Sequence, residues 1–310
     1  MRTKTRTLLG LVATLLLLTA CAPTGDDSEL VEPTTKPVYP ALATYPDIPV
    51  FEDIAYGDID GQSLDVCLPT DARVDDLEPG PRPVIVSIHG GSWMRGDKAD
   101  FNWRAVCQWF ASEGYVTVSV NYRLVPAATF PSQLLDVQQV VRWLRDPTQV
   151  AFYDLDPARI GAFGGSAGGN LAALLGTAGD GDLTVDSRVA AVAELSGPAD
   201  LREPIPTLDT YNQVFADVQL AYVGCTGFTD CDATAAASPV TLVDPSDPPF
   251  FVGHSVDEFI PIAQSDEFVT ALRAAGISTT YVTVEGSLHS IAMLDDDMMQ
   301  RIISFFDDAL

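Results

Sequence analysis

Only three histidines, His89, His254 and His289, occur in 310 residues. That is too few for a histidine-rich metal centre, and the five cysteines do not fall at zinc-site spacings, so no metal or cofactor is expected. Basic residues are scarce as well: 17 Lys and Arg stand against 43 Asp and Glu, for a net charge of −26. A surface that acidic repels polyanions and keeps the chain in solution, which argues against nucleic acid as a partner. No internal repeat is evident, and no apolar run reaches the roughly 20 residues that a membrane-spanning helix needs.

The apolar run Leu8 to Leu18 follows Arg2, Lys4 and Arg6, and leads into Leu18-Thr19-Ala20-Cys21. A basic segment, a short apolar core and small residues before a Cys resemble a bacterial lipoprotein leader. Residues 1–20 are therefore read as a signal peptide, and Cys21 as the lipidated N-terminus of an exported cell-envelope protein. Contact with the membrane surface is expected through that lipid only. Residues 21–46, rich in Pro, Thr, Ala, Asp and Glu, cannot bury enough surface to fold and read as a linker. In an exported chain the remaining four cysteines are expected to pair, Cys225 with Cys231 across a short loop and Cys67 with Cys107. Residues 47–310 remain for one domain. Oligomeric state is not legible in the pattern.

Within that domain, Ile54–Tyr56 and Ser63–Leu68 flank Gly57, Asp58 and Gly61 and read as an antiparallel hairpin. Apolar runs at Val84–Ile88, Tyr115–Val120, Arg159–Phe163, Val189–Leu195, Phe250–Gly253 and Thr279–Val284 read as buried strands. Helices are expected at Phe101–Ser112, Ser132–Arg145 (stopped by Pro147), Asn170–Gly176, Ile262–Ala275 and from about Ile291. Strand and helix alternate, so the fold class is α/β: a mostly parallel sheet of about eight strands with helices on both faces. Residues 197–249, rich in Pro, Asp and Thr, interrupt the alternation and are expected to lie over the C-terminal edge of the sheet, where such folds bind ligands.

The chemistry-bearing residues fall at that edge. Gly164-Gly165-Ser166-Ala167-Gly168 follows a strand and opens a helix, the setting in which a sharp turn exposes a serine hydroxyl as a nucleophile. Upstream, His89-Gly90-Gly91-Ser92-Trp93 ends another strand. The N–H groups of Gly91, Ser92 and Ala167 are the expected oxyanion donors, with His89 supporting the loop. His289, in the loop after the Thr279–Val284 strand, is the expected base; His254 is expected to be structural. Asp257 is the expected acid, with Glu258 as the adjacent alternative and Asp200 a remoter one.

These residues, together with Asn121-Tyr122-Arg123-Leu124, Asp156-Pro157-Ala158-Arg159-Ile160 and Ala237-Ser238-Pro239, resemble the feruloyl and acetylxylan esterase-like α/β-hydrolases related to the hormone-sensitive-lipase group. The resemblance implies an α/β-hydrolase fold and a serine carboxylesterase, with a small or polysaccharide-linked ester as substrate. Its triad falls on Ser166, Asp257 and His289. Ser92 and Ser255 stand where those relatives carry Gly. An amide hydrolase of the same fold and a non-catalytic surface-binding lipoprotein are the two alternatives.

Overall fold

Residues 42–70, 80–207 and 212–310 are described in the computed structural model, all within a unit running from Tyr39 to Leu310. Cys21, the leader and residues 21–41 of the linker lie outside the described residues.

Among the described residues eight strands form one sheet: β1 (Val50–Ala55), β2 (Ser63–Cys67), β3 (Arg82–Ile88), β4 (Val116–Val120), β5 (Leu155–Gly165), β6 (Ala191–Leu195), β7 (Phe250–Ser255) and β8 (Thr279–Val284). Their spatial order is β1-β2-β4-β3-β5-β6-β7-β8. The expected hairpin pairs β1 with β2, and β2 pairs antiparallel with β4. Every pairing from β4 through β8 is parallel. Burial explains the composition of the strands. All residues of β4, β6 and β7 are buried, so these strands are apolar runs, whereas the edge strand β1 is largely exposed and carries Glu52 and Asp53.

The period of two sends alternate side chains of one strand into two cores. Val84, Val86 and Ile88 of β3 face one core, and Ile85 faces the other. Phe250 and Val252 of β7 divide from Phe251 in the same way. The first core is covered by α2 (Ser132–Arg145), α4 (Ala167–Thr177) and α7 (Ala263–Ala274), through residues such as Val137, Val141, Leu171, Leu175, Phe268 and Leu272. The second is covered by α1 (Phe101–Ser112) and α8 (Asp296–Ala309), with Val106 and Phe110 on one helix and Met298, Ile302 and Phe306 on the other, at helical spacing.

Three details differ from the sequence reading. Pro147 does not simply stop a helix; it is the first residue of α3 (Pro147–Tyr153), whose cap Asp146 accepts the Thr148 N–H at 2.8 Å. The last helix starts at Asp296, capped by Asp295, and the chain before it makes a 3₁₀ turn at Ser290–Met293. The described residues of the 197–249 segment include α5 (Asn212–Val223) and the short α6 (Asp232–Ala236).

Both expected disulfides are formed, Cys67–Cys107 and Cys225–Cys231. The first links β2 to α1 across 40 residues, and loop-closure entropy assigns such a link about 4 kcal/mol of stability.

Candidate active site

β5 ends in the turn that carries Ser166, which has φ 59° and ψ −124°. A side chain in the left-handed region is strained, so the surrounding contacts must hold it there. The Ser166 N–H donates to Leu195 O at 2.8 Å, and α4 begins at the next residue. Gly168 lets α4 sit directly on the end of β3: a Cβ there would stand 2.0 Å from Ile88 O. Ser166 itself is half-buried, open enough to meet a ligand.

The loop after β3 packs on this turn. A Cβ on Gly90 would approach Gly165 O to 2.8 Å and the Ser166 Cβ to 3.2 Å, so the two segments touch backbone to backbone. Gly91, Ser92 and Trp93 all have positive φ, at 118°, 57° and 56°. The Gly91 carbonyl turns back to accept the N–H groups of Met94 and Arg95, both at 3.1 Å. Among the described residues no acceptor takes the N–H of Gly91, Ser92 or Ala167. Behind the loop, His89 is buried, bonds Gly90 O through Nδ1 at 2.8 Å, and stacks on Tyr122 at 4.4 Å. Burial lowers its pKa, which suits the supporting role read from the sequence.

The 197–249 segment meets the site through aromatic and amide contacts. Tyr222 on α5 stacks on Trp93 with ring centroids 4.1 Å apart and planes 4° from parallel. Asn170 on α4 donates to Pro198 O at 2.9 Å and Ala237 O at 3.1 Å.

His289 precedes the 3₁₀ turn. Ser290 fastens this segment beside Ser166: its Oγ occupies the place a Gly165 Cβ would need, 2.0 Å away, and its N–H donates to Ser196 Oγ at 3.0 Å. Ser255 Oγ donates to Leu288 O at 2.6 Å, so the serine that replaces the relatives' glycine ties β7 to the histidine loop. His289 Nδ1 is hydrogen-bonded to Glu258 Oε2, which leaves Nε2 free of that bond.

The carboxylate that meets His289 is thus that of Glu258, the adjacent alternative, and not that of Asp257. Asp257 is exposed, and its backbone N–H donates to Gly286 O at 3.0 Å, continuing the pairing of β7 with the chain after β8. Among the described residues its carboxylate receives no hydrogen bond. One residue later the chain turns inward, and the Glu258 side chain is fully buried. Burial pushes the Glu258 carboxyl up, but the imidazoles of His254 and His289 beside it more than offset that and hold it at about 2. Asp200 is engaged with Arg202 at 2.5 Å.

Of the two adjacent carboxylates, the structure brings to His289 the one that the sequence reading placed second. No local signal separated them: Glu258 stands four residues after the buried His254, and the two side chains come within 3.0 Å only because the chain turns inward after β7. Ser196 and Tyr222 were not singled out, and Ser255 was noted only as a departure from the relatives' glycine, because nothing local marks a serine or tyrosine as a brace.

The family model BD-FAE matches residues 64–272, two thirds of the chain and a span that includes Ser166 and Glu258. The chain belongs to the BD-FAE family. This BD-FAE chain is 31% identical over 247 residues to Esterase LipQ of Mycobacterium tuberculosis, a match covering 76% of this chain and 57% of that protein. It spans little more than half the length of the curated relatives it matches, 57%, 60% and 54% of the first three. Among solved structures it is similar to a bifunctional GH43-CE protein of Bacteroides eggerthii, with TM-score 0.71, 30% identity, and coverage of 84% of this chain and 38% of that one. It is also similar to Thermogutta terrifontis esterase 2 in its sarin-phosphonylated form, with TM-score 0.65, 25% identity, and coverage of 83% and 92%. The sheet order and these likenesses make the fold of the BD-FAE domain an α/β-hydrolase fold.

Proposed function

We propose that this domain is a serine carboxylic-ester hydrolase working through an acyl-enzyme on Ser166. The observation that carries the reading is the bond from His289 Nδ1 to the buried Glu258 carboxylate, in a loop fastened beside a serine held at positive φ. With Nδ1–H donated to Glu258, Nε2 of His289 is the basic nitrogen. It takes the Ser166 proton as Oγ attacks the ester carbonyl, and the Glu258 anion stabilises the imidazolium that forms. The N–H groups of Gly91, Ser92 and Ala167, which have no acceptor among the described residues, serve the oxyanion. The C–O bond to the alcohol then breaks and His289 returns the proton to the leaving oxygen. A water molecule, deprotonated by the same nitrogen, attacks the acyl-enzyme; the carboxylic acid leaves and Ser166 regains its proton.

The names of the relatives favour esters over amides, and the GH43-CE neighbour favours a small or carbohydrate-linked ester. Export on a lipid at Cys21 is part of the proposal; it rests on the order of basic, apolar and small residues before that cysteine.

A panel of p-nitrophenyl esters and matched formyl and peptide amides tests the reaction class, and turnover confined to amides would overturn it. Ser166→Ala is expected to lower ester turnover by about six orders of magnitude and to abolish fluorophosphonate labelling, with the fold kept. Cys21→Ala is expected to move the protein from membrane to soluble fractions; a variant that still sediments with membranes would refute the anchor.

A further inference from the structure

Behind the triad lies a second buried acid and histidine group. His254, on β7, has no exposed surface. Its Nδ1 meets Ser265 Oγ of α7 at 2.7 Å, and its Nε2 lies 2.8 Å from Ile260 O and 3.0 Å from Glu258 Oε1. Glu258 thus stands between two imidazoles, His289 at one oxygen and His254 at the other. The other ionisable group facing this pair is Glu194 of β6, fully buried, whose Oε2 accepts the Gly197 N–H at 2.7 Å. Burial raises the Glu194 carboxyl to about 8, against the opposing pull of His254 and the Gly197 N–H, so at neutral pH it holds its proton and leaves Glu258 as the anion of the group.

We propose that His254 is a positioning residue for the triad acid, fixing the rotation of the Glu258 carboxylate so that its other oxygen stays on His289. The proposal rests on the serine-hydrolase reading and adds a residue to it. The physical need is specific to a glutamate. Its carboxylate has one more rotatable bond than that of an aspartate, so orienting it costs more entropy unless a second contact holds it. Removing the His254 contact leaves Oε1 buried without its cation-capable partner, and the carboxylate is then free to turn from His289 toward another donor. Ser265 fixes the ring in turn: its hydroxyl meets Nδ1 at 2.7 Å, and Nε2, which faces only acceptors in Glu258 Oε1 and Ile260 O, carries a proton.

The test separates orientation from packing. His254→Gln can present an amide donor near the Nε2 position, whereas His254→Asn reaches Ser265 and stops short of Glu258. With p-nitrophenyl acetate, His254→Asn is expected to lower kcat about tenfold with KM within about twofold, a size usual for coupled neighbours. His254→Gln should recover most of that loss. In the acid limb of kcat/KM, His254→Asn should move the apparent pKa downward, because a misplaced Glu258 stabilises the His289 imidazolium less. In a Glu258→Gln background the same substitution should change kcat less than about twofold, since the contact it removes no longer serves an anion. Ser265→Ala, which loosens the ring without emptying its site, is the milder probe, with a fall of about threefold expected on the same coupling scale. It decides the matter should His254→Asn fail to fold. A folded His254→Asn or Ser265→Ala variant with wild-type kcat and an unmoved limb would overturn the proposal. So would a loss that persists in full beside Glu258→Gln. Ser166→Ala run in parallel keeps the two claims apart. If it retains turnover, the serine-hydrolase reading fails; if it is inactive while the His254 effects are additive, only the positioning role fails.

Discussion

The turn carrying Ser166 and the turn carrying Glu258 both end strands at the same sheet edge, yet they are held by different means. At Ser166 the constraint is backbone against backbone: Gly168 on Ile88 O, Gly90 on Gly165 O, and the Ser166 N–H on Leu195 O. At Glu258 the constraint is a set of side chains: the buried His254, held by Ser265, on one carboxylate oxygen and the half-buried His289 on the other. A backbone constraint is written in residue types, because only glycine fits. A side-chain constraint depends on which way each group points, and neighbouring acids on a turning chain look alike until the turn is built.

The contrast can be broken most severely at the acid. Glu258→Gln is expected to lower kcat about 10⁴-fold, the cost of misorienting the base. Asp257→Asn, at an exposed carboxylate, should stay within about twofold, as surface changes do. Steady-state kinetics on p-nitrophenyl acetate check both, and the opposite order would return the acid to Asp257. At the other turn the expected effect is on stability. Gly168→Ala puts a carbon 2.0 Å from a backbone oxygen that cannot swing aside. Overpacking of that kind costs about 3 kcal/mol, which calorimetry would read as a fall in Tm of about 6–12 °C. A Tm within about 2 °C of wild type would mean that the elbow is looser than its backbone contacts imply.

The smallest expected effect concerns pH. Glu194 is raised from 4.5 to about 8, chiefly by burial. The folded protein therefore holds that proton more tightly than the unfolded chain. The stability linked to it is complete below 4.5 and is lost as pH rises through about 8. Wild-type Tm should thus fall between about pH 5 and pH 9, and Glu194→Gln should flatten that slope. Parallel slopes for the two proteins would show that Glu194 does not hold the proton.

Much of the fold was legible because its signals are periodic and local. The helices at Phe101–Ser112 and Ser132–Arg145 and the strand at Thr279–Val284 have the bounds read from their apolar spacing. The pairing of Cys67 with Cys107 followed from counting what remained once the short loop was closed. Where the reading failed, the local signal was ambiguous. Pro147 can end one helix or begin the next, and only the Asp146 cap decides for the second. The helix α5 in the 197–249 segment was hidden because most of its stability comes from docking: Tyr222 on Trp93, and Phe215 on Phe259 at 5.1 Å.

For this protein, the sequence alone determined the α/β alternation, the strand-to-helix turn that carries Ser166, the glycine loop beside it and the histidine after the last strand. Each is marked by a residue type that its backbone conformation demands, or by a periodicity that burial demands. Which of two adjacent carboxylates meets His289 was decided only by tertiary structure. After β7 the chain keeps Asp257 on the pairing edge facing solvent and turns Glu258 inward between two histidines. That choice depends on where strands, helix α7 and the His289 loop converge in space, and no spacing along one segment encodes the approach of the other two.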